Sequence, residues 1–72
     1  MSQYPFEHDG PVYLLASEKY DSVYYARDKK FYRRIRYWPN LDWGRAVEDE
    51  IDKDIFMMTI ACIERRSHNA SH

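Results

Sequence analysis

Five carboxylates stand within seven residues, at Glu48, Asp49, Glu50, Asp52 and Asp54. Two chemistries use such a run, and each has a geometric demand. A calcium loop of the EF-hand kind needs a turn glycine and a distant bidentate glutamate, and the run has neither. Acid–base catalysis needs two carboxyl groups held in unlike environments within a cleft. Consecutive acids on one exposed element share one environment. The ordinary expectation is therefore a solvated acidic face.

The opposite charge is concentrated just upstream. Residues 27–36 carry six basic side chains against Asp28 alone, a net of +5, whereas residues 42–54 carry six acids against Arg45 and Lys53, a net of −4. The whole chain is close to neutral at −1. Aromatic residues are interleaved with the basic ones in Phe31-Tyr32-Arg33-Arg34-Ile35-Arg36-Tyr37-Trp38. Alternation along a strand places Tyr32, Arg34, Arg36 and Trp38 on one face and Phe31, Arg33, Ile35 and Tyr37 on the other. The first set has the residue types that stack bases and neutralise phosphates in single-strand binders. The competing expectation is that these arginines pair with the acids of residues 48–54. The near-neutral total favours it, because a dedicated nucleic-acid binder is usually basic overall.

Other catalytic and metal-binding patterns are missing. Gly10 and Gly44 are the two glycines, too few for a phosphate-cradling loop or a dinucleotide fingerprint. No serine stands in a nucleophile elbow. His8, His68 and His72 have neither cysteine partners nor helical His-x-x-x-His spacing, so no zinc site is expected. Cys62 falls on an apolar stripe and reads as a small buried hydrophobe rather than a nucleophile. No cofactor is expected, and the chain reads as a non-enzyme. A single cysteine allows no internal disulfide and points to a reducing, cytoplasmic setting. The sequence shows neither the apolar run of a membrane span nor the pattern of a signal peptide.

These residues need elements to position them. Seventy-two residues make one small domain. Residues 1–10 read as an N-terminal arm. Residues 11–16, 22–26 and 31–38 are rich in β-branched and aromatic types and are separated by polar turns, so they read as three strands of an antiparallel meander. Pro39-Asn40 punctuates the chain, with Asn40 a candidate N-cap and Asp42 suited to the positive end of a helix. From about residue 42 to Arg66 the expectation is one long helix packed across the meander, followed by a flexible tail at 67–72. The fold class is thus α+β, with residues 11–66 as the domain.

At about 100° per residue, Trp43, Val47, Ile51, Ile55, Met58 and Cys62 share one stripe of this helix, which is expected to face the sheet. Asp49 and Asp52 lie on the opposite side, followed by Phe56, Met57, Ile60 and Ile63. The second half of the helix is therefore apolar all round, and one three-stranded sheet cannot cover both sides. Cover is expected from the arm through Tyr4 and Phe6, from a second copy in a homodimer, or from another protein.

The functional expectation is a protein-interaction module that acts as an inhibitor or adaptor on a larger protein with a basic surface. Asp49, Asp52, Phe56, Met57, Ile60 and Ile63 would form the contact. The alternative is a small RNA- or single-stranded-DNA-binding protein that uses Tyr32, Arg34, Arg36 and Trp38. In size, aromatic richness and lack of catalytic motifs, the chain resembles small phage and mobile-element proteins that bind and block a host machine, a likeness of composition that covers no specific motif.

Overall fold

A computed structural model describes residues 4–40 and 42–70. Met1–Gln3 of the arm and Ser71 and His72 of the tail lie outside the described residues. The fold is α+β, with one antiparallel sheet and one C-terminal helix. The sheet has four strands in the order β1-β2-β3-β4: β1 Asp9–Ala16, β2 Tyr20–Arg27, β3 Lys30–Tyr37 and β4 Val47–Ile51. A single 3₁₀ turn, Trp43–Arg45, precedes β4, and the helix α1 covers Lys53–Ala70.

The meander of β1 to β3 follows from local chemistry. Arg27 pairs with Lys30 at the end of the β2–β3 ladder, so Asp28 and Lys29 form a two-residue turn. Both have positive φ, 52° and 66°, the backbone whose twist matches that of a hairpin. The Asp28 amide donates to Asp9 Oδ2 at 2.9 Å, which ties this turn to the start of β1. Gly10, at φ 81°, lies where the β1 register shifts between Asp9 and Tyr13, a backbone that favours glycine.

The fourth strand corrects the expected helix start. Val47 to Ile51 is extended and antiparallel to β3, with Glu48 opposite Arg34 and Asp49 opposite Arg33. Two cross-strand pairs of opposite charge outweigh the modest helix propensity of Glu-Asp-Glu. The break before it is also local. Asp42 caps the 3₁₀ turn by accepting from the Gly44 amide at 2.9 Å, and the Asn40 side chain accepts from the Asp42 amide at 3.0 Å. Asn40 thus supports a loop, not the N-cap of a long helix. Asp52 stands immediately before α1, its carbonyl accepting from the Phe56 amide at 3.0 Å.

The sheet is covered on both faces. On one, Val23, Tyr25 and Trp43 are buried, with Tyr4, Phe6, Val12, Tyr32 and Ala46 packed against them. On the other, Phe56 and Ile60 of α1 are buried against Tyr24, with Tyr13, Leu15, Phe31, Ile51 and Ile63 around them. The helix faces are therefore the reverse of the expectation. Phe56, Ile60 and Ile63 turn inward, while Ile55, Met58 and Cys62 are exposed. The expected phase was anchored on Trp43, Val47 and Ile51, none of which belongs to the helix.

Candidate functional site

The basic aromatic face of β3 is a site of internal contacts. Tyr32, Arg34 and Arg36 share the face that carries Tyr25, Val23 and Asp21 of β2, by the pairings Tyr25↔Tyr32, Val23↔Arg34 and Asp21↔Arg36. Each of three arginines is laid over one ring and bound to one carboxylate. Arg27 lies 4.4 Å from the Tyr32 ring centroid and meets Glu48 in a two-pronged contact, Nη1 to Oε1 at 3.0 Å and Nη2 to Oε2 at 2.9 Å. Arg34 lies 4.4 Å from the Phe6 ring, and its Nη2 is 3.4 Å from Glu48 Oε1. Arg36 lies 4.3 Å from the Trp43 ring and donates through Nη2 to Asp21 Oδ2 at 3.1 Å.

Arg34 is the centre of this lattice. Its Nε donates to Tyr25 Oη at 2.9 Å, and its Nη1 donates to the carbonyls of Trp43 and Ala46, both at 3.2 Å. The side chain is 14% exposed. The guanidinium thereby stitches the loop before β4 onto the sheet, using the planar fork that lysine lacks. Tyr25 donates its hydroxyl to Glu48 and stacks on Phe6 at 4.5 Å between centroids. The segment from Tyr4 to His8 is thus held by rings as well as by charge.

These contacts shift the ionisation of their members. The hydrogen bond from Arg27 is the main cause that draws the Glu48 carboxyl down to about 2, with Tyr25 adding to it and desolvation opposing. Burial pushes the Tyr25 phenol up to about 12, and its bond to Glu48 adds to the rise. The bond to Glu48 also raises the Arg27 guanidinium. Glu48 and Arg27 therefore stay charged, and the Tyr25 phenol stays protonated, across the ordinary pH range.

The residues singled out in the sequence therefore separate into three places. Tyr32, Arg34 and Arg36 lie together in the covered lattice, so their rings and guanidinium groups already have partners. Trp38 lies beyond β3 and is exposed. Asp49 sits on β4, with Oδ2 at 3.6 Å from Arg33 Nη2, and Asp52 lies in the link to α1. Phe56 and Ile60 are buried, Ile63 is half-buried and Met57 is exposed. The single apolar-and-acidic helix face expected from the sequence does not form.

What remains open is the β4 side of the molecule. β4 is an edge strand, and no backbone hydrogen bond leaves its outer side among the described residues. Strand alternation places Val47, Asp49 and Ile51 on the helix side of the sheet and Glu48 and Glu50 on the lattice side. Val47 is 70% exposed, and Tyr37 and Tyr20 are exposed across the neighbouring strands, with their rings 5.7 Å apart. The helix reaches Tyr13, Leu15, Tyr24, Phe31 and Ile51 and leaves Val47, Tyr20 and Tyr37 uncovered. On the same face Arg33, between Tyr24 and Asp49 in the ladder, has its Nε shielded from solvent with no hydrogen-bond partner among the described residues.

The signal that could have found β4 lies in the sequence. Glu48-Asp49 is complementary in charge to Arg33-Arg34, which marks the two segments as partners without fixing that they pair as strands. No group of three or more metal-binding side chains occurs among the described residues, and no helix among them is long and apolar enough to cross a membrane. No protein-family model, curated protein or solved structure matches the chain.

Proposed function

We propose that this chain is a non-catalytic protein-binding module that attaches to a larger protein with a basic surface and acts on it as an inhibitor or adaptor. The observation that supports this reading is the open, acidic edge of the sheet. β4 presents Glu48, Asp49 and Glu50 in sequence, and Asp52 follows it. Glu48 is occupied by Arg27 and Arg34 and Asp49 by Arg33. Glu50 and Asp52 are exposed and form no ion pair among the described residues.

An edge strand receives an extended segment through its backbone groups, which sets register, while side-chain pockets set specificity. The exposed acids steer a basic segment toward the edge, and Val47 with Tyr37 supplies an apolar anchor. The other edge is less suited to this use. β1 has an irregular register between Asp9 and Tyr13 and carries Pro11 within it, features that blunt strand addition.

The test uses the folded chain as bait in lysate of its native host, with and without nuclease, beside two folded variants, Val47→Asp and Glu50→Lys. The expected result is a protein recovered by the wild type and lost or strongly reduced with both variants. Its association rate should fall as salt is raised, because exposed charges are screened over about 10 Å at 0.1 M ionic strength. Equal recovery by all three chains would refute the β4 reading, and nuclease-sensitive recovery would favour nucleic acid instead.

A further inference from the structure

The helix has a second apolar stripe, and its charges specify a partner. With Phe56, Ile60 and Ile63 turned to the sheet, Ile55, Met58 and Cys62 recur at i, i+3 and i+7 on the outward side. That is the spacing of a helix–helix seam. Met58 is 73% and Ile55 50% exposed, and Cys62 is exposed as well. At about 100° per residue, Asp54 falls on this stripe at its N-terminal end and Arg65 and Arg66 at its C-terminal end, whereas Lys53 and Glu64 fall off it. Asp54, Arg65 and Arg66 are exposed, and none forms an ion pair among the described residues.

The stripe therefore reads acidic, apolar, basic along one helix, a pattern complementary to itself when reversed. We infer that α1 pairs with α1 of a second copy, antiparallel, through Ile55, Met58 and Cys62. Setting Met58 of one copy opposite Cys62 of the other brings Asp54 beside Arg65 and Arg66 of the other helix. The aliphatic stems of these arginines extend the apolar seam past Ile55. Twofold symmetry forms each of these contacts twice, as an isologous interface requires. A parallel pairing would instead put Asp54 against Asp54 and Arg65 against Arg65. This surface is distinct from the β4 edge, so its test stands apart from that of the proposed partner.

Two helices meeting over four turns make an interface near the small end of specific ones, about 1,000 Å² in total, so the dimer should form in the micromolar range. Sedimentation equilibrium of the full chain from about 1 µM to about 1 mM measures it. Met58→Asp should weaken the dimer at least about tenfold. Asp54→Arg and Arg65→Asp should each weaken it about tenfold by placing like charges together, and the double variant Asp54→Arg/Arg65→Asp should recover to within about threefold of wild type.

Thermal melts followed by circular dichroism separate this effect from simple destabilisation. Asp54→Arg opposes the helix dipole in the first turn of α1, so stability should stay lowered in the double variant while dimer affinity recovers. A chain that stays monomeric to about 1 mM would overturn the inference and leave the stripe to a different protein. So would a dimer that ignores Met58→Asp, or a double variant that associates no better than the single ones.

Discussion

One face of the sheet is closed by rings and charges, the other by a helix, and the two differ in how completely they are covered. On the first, Arg27, Arg34 and Arg36 alternate with Tyr32, Phe6 and Trp43 and are neutralised by Glu48 and Asp21. A short segment of chain without regular structure suffices there, because each contact is directional and anchored by charge. On the second, Phe56 and Ile60 bury against Tyr24, and the helix leaves Val47, Tyr20 and Tyr37 exposed. The arginine-rich strand β3 thus turns Arg34 and Arg36 into the more closed face. Strong local chemistry in a sequence marks an internal contact as readily as a site for something else.

Three changes probe this comparison. Ile60→Asp should have the largest effect, since it puts a carboxylate into the buried layer between the helix and Tyr24. A cost above about 4 kcal/mol is expected, enough to unfold a domain of this size. Chemical denaturation of the variant would check it. A folded variant with a near-normal melt would show that α1 is not docked by this residue.

Arg34→Lys should come next. It keeps the charge and loses the fork that reaches Tyr25, the Trp43 and Ala46 carbonyls and Glu48 together. A loss of about 2–3 kcal/mol is expected, with loosening confined to the loop before β4 and the segment 4–8. Amide exchange across the two faces would localise it. Equal loosening on the helix face would mean that the faces are not independent.

The third and smallest effect is a pH dependence carried by Glu48 and Tyr25. In the unfolded chain Glu48 takes a proton near its ordinary 4.5, whereas in the folded protein it stays ionised to about 2. The unfolded state therefore binds the proton first as pH falls. The contribution is complete above about 4.5 and disappears progressively toward 2. After allowance for solvent screening it amounts to about 1–2 kcal/mol. Tyr25 acts in the opposite direction, because its phenol is raised from 10 to about 12, so stability declines as pH rises through that window. Glu48→Gln should flatten the acid limb of a stability-versus-pH curve. An unchanged acid limb would show that the lattice is not held by this carboxylate.

The α+β class and the first three strands were legible from β-branched and aromatic runs bounded by polar turns, because hairpin pairing is local and its turn residues adjoin the strands they join. The strand expected at residues 31–38 appears as Lys30–Tyr37, and its alternation correctly joins Tyr32, Arg34 and Arg36 on one face. The fourth strand was not legible. Trp43, Val47 and Ile51 recur every four residues, as a helix would place them, and nothing local distinguishes that from a strand flanked by a buried tryptophan. The decision rests on Arg33 and Arg34, which meet Asp49 and Glu48 only once β3 is in place.

The helix faces were decided at the same level. The residues of α1 alone allow two apolar stripes, Phe56-Ile60-Ile63 and Ile55-Met58-Cys62, and periodicity ranks neither. The sequence by itself determined that both stripes exist and that opposite charges stand at the two ends of the outer one. Only the tertiary structure decided which stripe the sheet buries. The link at Asp52 fixes where the helix starts and hence its rotation, and Phe31 and Tyr24 offer Phe56 a ring surface that the shorter Ile55 would not fill.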